Sequence, residues 1–308
     1  MPSTKSIKQR IRSVKNTAQI TKAMEAVSAT KMRKAQEFAI RARPYAVASL
    51  EMMKNLLERT ETLPPLLQKR EVKTSALLVI TSDKGLAGGF NSNVIKKAEI
   101  WVENKKGAGE NYILITVGKK AKDYFARRGL VPEKSFWGFG DFSELKDTLP
   151  VAEEILQGFL RGSWDEAETV YTNFRTTLKQ EAVLKKILPV TKEGIEEMVA
   201  GILPEKGKYS ITSYQLPITN YNYEYKFEPS PEEILNKLIP QLLRMHIHHL
   251  ILESNASEHS ARMVAMKSAS DNASGLIDDL ALLFNKVRQA NITRELTEIT
   301  AGREALEN

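Results

Sequence analysis

Three groups of residues have types and spacings that could do chemistry. The stretch "ITSDKGLAGGFN" (80–91) follows the apolar run "SALLV" and precedes "SNVIKKAEIWV", which has the pattern of a helix. A strand running into a glycine-rich turn and then a helix can hold a phosphate, because free N–H groups at the helix start attract anions. A nucleotide-hydrolysing loop needs GxxxxGK followed by Ser or Thr, and "GLAGGF" (85–90) has neither. A dinucleotide fingerprint needs GxGxxG, and Gly85, Gly88 and Gly89 are spaced differently, although Glu103 could serve as the acidic ribose partner. Two readings stand here, a nucleotide site and a tight strand-to-helix turn. The second group is in "RMHIHHLILE" (244–253), where His246, His249 and Glu253 share one helix face beside His248. Three-and-four spacing is formally adequate for a metal, but the apolar surroundings and the want of a further ligand favour packing or partner contact. The third group is Asp278 and Asp279, which are adjacent and so face different directions on a helix.

Charge bears on partners rather than on catalysis. Residues 1–43 hold eleven Lys and Arg against Glu25 and Glu37, a net of +9, while the whole chain nets +7, so the remainder nets −2. A positive field focused on one segment suits an acidic partner, whether nucleic acid, membrane or protein. Aromatic residues are missing from that segment before Phe38, which leaves no stacking platforms for single-stranded nucleic acid. The chain has no cysteine, which excludes disulfides, thiolate metal sites and thiol redox switching. No apolar run approaches the roughly 20 residues needed to cross a bilayer.

Glycine and proline show which elements carry these groups. Fourteen of the 16 glycines lie between Gly85 and Gly207, and proline is absent between Pro2 and Pro44 and after Pro240. Because these residues are the main breakers of helices, both ends read as long helices and the middle as a turn-rich domain. The expected boundaries are a helix over 1–60, an α/β domain over 72–228 and a helix over 230–308. In the first helix, from about Ser3 to Arg59, a buried stripe is expected through Ile7, Ile11, Val14, Ala18, Met24, Val27, Met32, Ala35 and Phe38, interrupted by Pro44. Ser230 and Pro231 read as the cap and first position of the last helix. Met263, Met266, Ser270, Ala273, Ile277, Leu280, Phe284 and Val287 follow as a coiled-coil seam. Small residues (Ala265, Ala269, Ser270, Ala273, Ser274, Gly275) are expected to let a partner helix approach closely.

Helices of 57 and 74 residues would span about 80 and 110 Å, so they can bury their stripes only against each other or against a partner, and an antiparallel pair is the economical arrangement. Between them, strands are expected in "TSALLVITSD", "NYILITVG" and "EAETVYTNFRTT", with "AVLKKILPV" and "YNYEYKFEP" as further candidates. Helices are expected in "NSNVIKKAEIWVEN", "KKAKDYFARRG" and "SELKDTLPVAEEILQGFLRG". This alternation predicts a mainly parallel, Rossmann-like layer. The stretch "TKEGIEEMVAGILPEKGKYS" has no assignable pattern.

Long stretches in fixed order carry a resemblance: "QITKAMEAVSATKMRKAQ" (19–36), "ITSDKGLAGGFNSNV" (80–94), "FEPSPEEIL" (227–235), "SEHSARMVAMKSASDNA" (257–273) and "NKVRQANITRELTEITAGREAL" (285–306). The chain resembles the gamma subunit of bacterial F-type ATP synthase from near its first residue to its last. The resemblance implies a central stalk: terminal helices in an antiparallel coiled coil inside a hexamer of alpha and beta subunits, with the α/β domain at the foot beside epsilon on the ring of c subunits. It implies torque transmission without bond chemistry, and no cofactor. Met24 and Arg262 resemble positions where stalk meets beta, and Arg288, Gln289 and Thr293, with Glu295 nearby, resemble the polar set that engages a beta loop. Phe227 and Glu228 resemble the foot that meets the c ring, and the N-terminal basic residues would face acidic loops of beta, so nucleic acid is not the expected partner. Two departures are Arg294, where the family usually has glutamine, and Ala87, where many bacterial members have cysteine. Because the family pattern begins within the first ten or so residues, no cleavable presequence is expected. The expected location is the cytoplasmic face of a bacterial plasma membrane, with attachment through other subunits. The reading from another class is a dinucleotide-binding enzyme of Rossmann type.

Overall fold

A computed structural model describes residues 3–41, 52, 56, 60, 63–140, 143–191 and 228–307. In chain order the elements are α1 (Thr4–Arg41), β1 (Thr74–Ile80), α2 (Phe90–Gly107), β2 (Asn111–Val117), α3 (Lys119–Arg127), β3 (Lys134–Phe136), α4 (Leu145–Leu160), β4 (Glu166–Phe174), β5 (Gln180–Leu188) and α5 (Pro231–Glu307). They form two compact units, one of residues 1–28 with 262–308, the other of residues 29–261.

The second unit is built on a five-stranded sheet in the order β3-β2-β1-β4-β5. β1 pairs in parallel with β2 and β4, β2 in parallel with β3, and β5 runs antiparallel to β4 at the edge. Strands buried on both faces carry apolar residues at successive positions, and β1 sends them alternately to two cores. Leu77 and Val79 join Val94, Ala98 and Trp101 of α2 and Phe125 of α3. Ala76, Leu78 and Ile80 join Ile155 and Phe159 of α4 and Leu235, Leu243, Ile247 and Ile251 of α5. The predicted alternating α/β layer is thus present, and the first half of α5 is part of it.

Local chemistry sets the helix starts. The Ser230 hydroxyl accepts the Glu233 N–H at 3.3 Å, the N-cap expected from the sequence. At α4 the Asp147 carboxylate accepts the Glu144 N–H at 2.8 Å. β3, three residues long, is the one described strand without a sequence signal, since it is too short to show a period. The expected strand "YNYEYKFEP", the kink at Pro44 and the unassigned stretch after Val190 lie almost wholly outside the described residues.

The first unit is an antiparallel coiled coil. In α5 the seam positions Met266, Ser270, Ala273, Ile277, Leu280, Phe284, Val287 and Asn291 are buried or half-buried in alternating steps of four and three, with exposed residues between them except at Ala269 and Ala281. That is the predicted seam, extended to Asn291. Ser274 and Gly275, expected in it, are exposed and lie beside it. In α1 the seam runs through Ile7, Ile11, Val14 and Ala18 as expected and then departs from the expected stripe at Val27, while Met32 and Ala35, beyond this unit, are buried as expected. Val27 is 52% exposed, and the buried positions are Thr21 and Ser28. The correction has a physical reason: Thr21 donates its hydroxyl to the Thr17 carbonyl at 3.1 Å and Ser28 to the Met24 carbonyl at 2.7 Å. Hydroxyls satisfied by their own helix can be buried, so the four-and-three period holds although the hydrophobic pattern breaks.

Candidate partner interface

After β1, Ser82 donates its N–H to the Asn91 side-chain oxygen at 3.0 Å, closing the turn onto the first residues of α2. The Asp83 carboxylate accepts the N–H of Lys119, the first residue of α3, at 2.9 Å, and that of Gly138 at 2.8 Å. A carboxylate therefore sits where a helix start would attract a bound anion, and it links the turns that follow β1, β2 and β3. The crevice there, lined by Asp83, Lys84, Glu258 and His259 among others, measures about 120 Å³, whereas sites for drug-sized ligands run to roughly 300–1,000 Å³. Ser82 and Asn91 close the turn while Lys84, Leu86, Gly88 and Gly89 are exposed, and the dinucleotide-enzyme reading is not favoured.

The histidine cluster is part of the packing. His246 and His249 are buried, and the Glu253 carboxylate accepts the Phe174 N–H at 3.1 Å. His248 shares a hydrogen bond of 2.9 Å with the Thr148 hydroxyl. Among the described residues no group of His, Cys, Asp or Glu is arranged to hold a metal.

The helical unit offers a different kind of site. Lys5, Lys8, Arg10, Arg12, Lys15 and Lys22 of α1 are exposed around the seam, as are Arg33 and Lys34 beyond that unit. Met24 is half-buried beside the seam, and Arg262 is buried, at 8% exposure. At the other end of α5 the seam stops at Asn291, and every described side chain from Ile292 to Arg303 is exposed. Within that segment Ile292, Leu296 and Ile299 are 48%, 59% and 67% exposed. At about 100° per residue, they form a stripe turned away from the seam, with Arg288 and Glu295 along one side and Gln289 and Thr293 along the other. All four polar residues are exposed, so the structure brings this predicted set together on one arc of helix. The Thr293 hydroxyl donates to the Gln289 carbonyl at 3.0 Å, leaving its oxygen as an acceptor. Glu228 is exposed just ahead of α5, and Phe227 lies outside the described residues.

The apolar stripe itself went unnoticed in the sequence, although its signal is present. The step from Val287 to Ile292 is five residues, which puts Ile292, Leu296 and Ile299 out of phase with the seam, where Arg294 and Glu298 stand instead. Apolar residues that change phase near a helix end are ones the partner helix cannot cover.

Comparison with known proteins fits these features. A family model described as ATP synthase matches residues 3–306. The ATP synthase gamma chain of Chloroflexus aurantiacus is 42% identical over 99% of each chain, and that of Roseiflexus castenholzii 41% identical over 99% of each. The gamma chain of Gloeothece citriformis is 39% identical over 99% of this chain and 100% of its own. In fold, the chain is similar to one in Euglena gracilis mitochondrial ATP synthase, with 20% identity, a TM-score of 0.65 and coverage of 98% of this chain and 94% of that one. A chain of the central stalk and c-ring of the Tetrahymena thermophila mitochondrial enzyme gives 23% identity and a TM-score of 0.57, covering 82% of this chain and 99% of that one. With a family match over nearly its whole length and relatives at about two-fifths identity end to end, this chain belongs to the ATP synthase gamma family.

Proposed function

We propose that this protein is the rotary central stalk of a proton-translocating ATP synthase, coupling rotation of a c-subunit ring to conformational change at catalytic beta subunits. The observation that carries the reading is end-to-end similarity to gamma chains, combined with a two-helix unit whose only continuous buried feature among the described residues is its seam. Such a unit presents a net basic exterior with single apolar side chains such as Ile20, Val27 and Leu282 and an exposed apolar stripe at one end, which suits a rod held inside other subunits.

In this reading the chain performs no bond chemistry and needs no cofactor. Met24, Arg262, Arg288, Gln289, Thr293 and Glu295 meet the alpha/beta hexamer, and the positive charge of α1 faces acidic loops of beta. Phe227 and Glu228 belong to the foot that meets the c ring, with epsilon alongside. No described helix is long and apolar enough to cross a membrane, so attachment to the cytoplasmic face of a bacterial plasma membrane runs through the other subunits. The test is a pull-down of the full chain from its own cells with mass spectrometry of partners. Alpha, beta and epsilon should be recovered in stoichiometric amounts, and their absence would overturn the reading.

A further inference from the structure

The face of α5 that lies on the sheet changes character along its length. Between Leu235 and Leu243 its buried side chains are aliphatic, and between His246 and Ser260 they include His246, His249, Glu253, Ser254, Ser257 and Ser260. This second stretch is tied to β4 and the residues after it by directed bonds. Ser257 donates its hydroxyl to the Thr172 carbonyl at 3.1 Å, and Ser260 donates to the Thr177 carbonyl at 2.8 Å. Glu253 accepts the N–H of Phe174 at 3.1 Å and is hydrogen-bonded to the buried Tyr171 hydroxyl. The seam is imperfectly satisfied, for the buried hydroxyls of Thr172 and Ser254 and Nδ1 of His246 have no hydrogen-bond partner among the described residues. A helix held by polar contacts in a buried seat is sensitive to any change of charge there. Among the groups bonded across this seam, Glu253 is the carboxyl.

We propose that Glu253 is a proton-operated latch, holding α5 against the end of β4 when its carboxyl is neutral and loosening that hold when it ionises. The charged groups acting on it are Lys185 from β5 and Arg175 just beyond β4, with the Tyr171 hydroxyl from β4, and His249 and His246 stand one and two turns before it on its own helix. Burial outweighs the Phe174 N–H, the two cations and the Tyr171 hydroxyl, and raises the carboxyl from 4.5 to about 7. His246 is held down at about 3, by burial first and then by His249 and Lys185, so it stays neutral as Glu253 titrates. A carboxyl raised in the folded state binds a proton that the opened state has lost. The hold is therefore strongest below 4.5 and declines as pH rises from there through about 7.

The test uses the full chain and two readouts. In the ¹⁵N-labelled protein the Phe174 amide resonance, whose N–H the carboxylate accepts, should titrate with a midpoint near 7; a midpoint below about 5 would overturn the latch. Hydrogen exchange of residues 246–260 and 166–174, corrected for intrinsic rates, should show opening that rises up to about tenfold per pH unit between pH 5 and 7 and levels off above. In Glu253→Gln the dependence should vanish, and its persistence would assign the effect to other groups. Should the variant not fold, the wild-type titration alone decides.

Discussion

Glu166, at the start of β4, shows how one buried charge organises an edge of the sheet. It accepts the Ser75 hydroxyl at 2.7 Å, Lys105 Nζ at 3.0 Å and Lys186 Nζ at 2.9 Å, joining β1, α2 and β5. Burial alone would raise its carboxyl, but bonds from Lys186, Ser75 and Lys105 hold it at about 2 against an ordinary 4.5. A carboxyl lowered in the folded state adds stability above its unfolded value, and that stability is lost as pH falls from 4.5 towards 2. At roughly 1.4 kcal/mol per unit the contribution is about 3 kcal/mol at most. Urea titrations between pH 5 and 3 should show this loss in the wild type and a flatter acid slope in Glu166→Gln. Two glycines are as strictly placed. A Cβ on Gly118, at φ +91°, would stand 2.2 Å from the Thr81 carbonyl oxygen, and one on Gly158 would stand 1.9 Å from the Trp164 ring. Gly118→Ala adds backbone strain to a clash with main chain, and Gly158→Ala overpacks against the buried Trp164 ring. Losses of about 3 and 2 kcal/mol are expected in denaturant unfolding.

At the scale of elements, the coiled coil depends on phase more than on hydrophobicity. Thr21 and Ser28 are buried in α1 while Val27 is exposed, because the seam returns every seven residues whatever the side chain. In α5 the same rule separates two leucines two positions apart, Leu280 at 8% exposure and Leu282 at 71%. Leu280→Ala should cost about 2 kcal/mol, since a two-helix seam buries less than a globular core, and Leu282→Ala less than about 0.5 kcal/mol. Thermal melts followed by helical circular dichroism distinguish them, and equal effects would contradict the assigned phase.

For the whole molecule, the exposed end of α5 separates folding from function. Because every described side chain from Ile292 to Arg303 is exposed, deleting residues 292–308 should leave the melting temperature of the isolated chain within a few degrees of the wild type. In the reassembled complex the same deletion should weaken the coupling of ATP hydrolysis to proton pumping, measured in vesicles with a pH-sensitive dye. A large loss of thermal stability in the isolated chain would instead make the segment structural. Periodic and punctuating features were legible in the sequence alone. The three-and-four pattern from Met263 to Val287, the alternation of strands and helices from Thr74 to Leu188 and the Ser230 cap all report repulsion from or attraction to water along one chain, so nearest-neighbour chemistry suffices. The long quoted motifs carried the family in the same way. Other features depend on groups brought together from distant positions. Asp83 filling the anion position at α3 and Glu253 seated against Tyr171 and Phe174 are separated in sequence from what they touch, and no local pattern marks them. Tertiary structure also decided that the crevice beside the glycine turn is small and that Asp83 takes the electropositive start of α3, because a turn's spacing cannot reveal which distant helix start is brought against it.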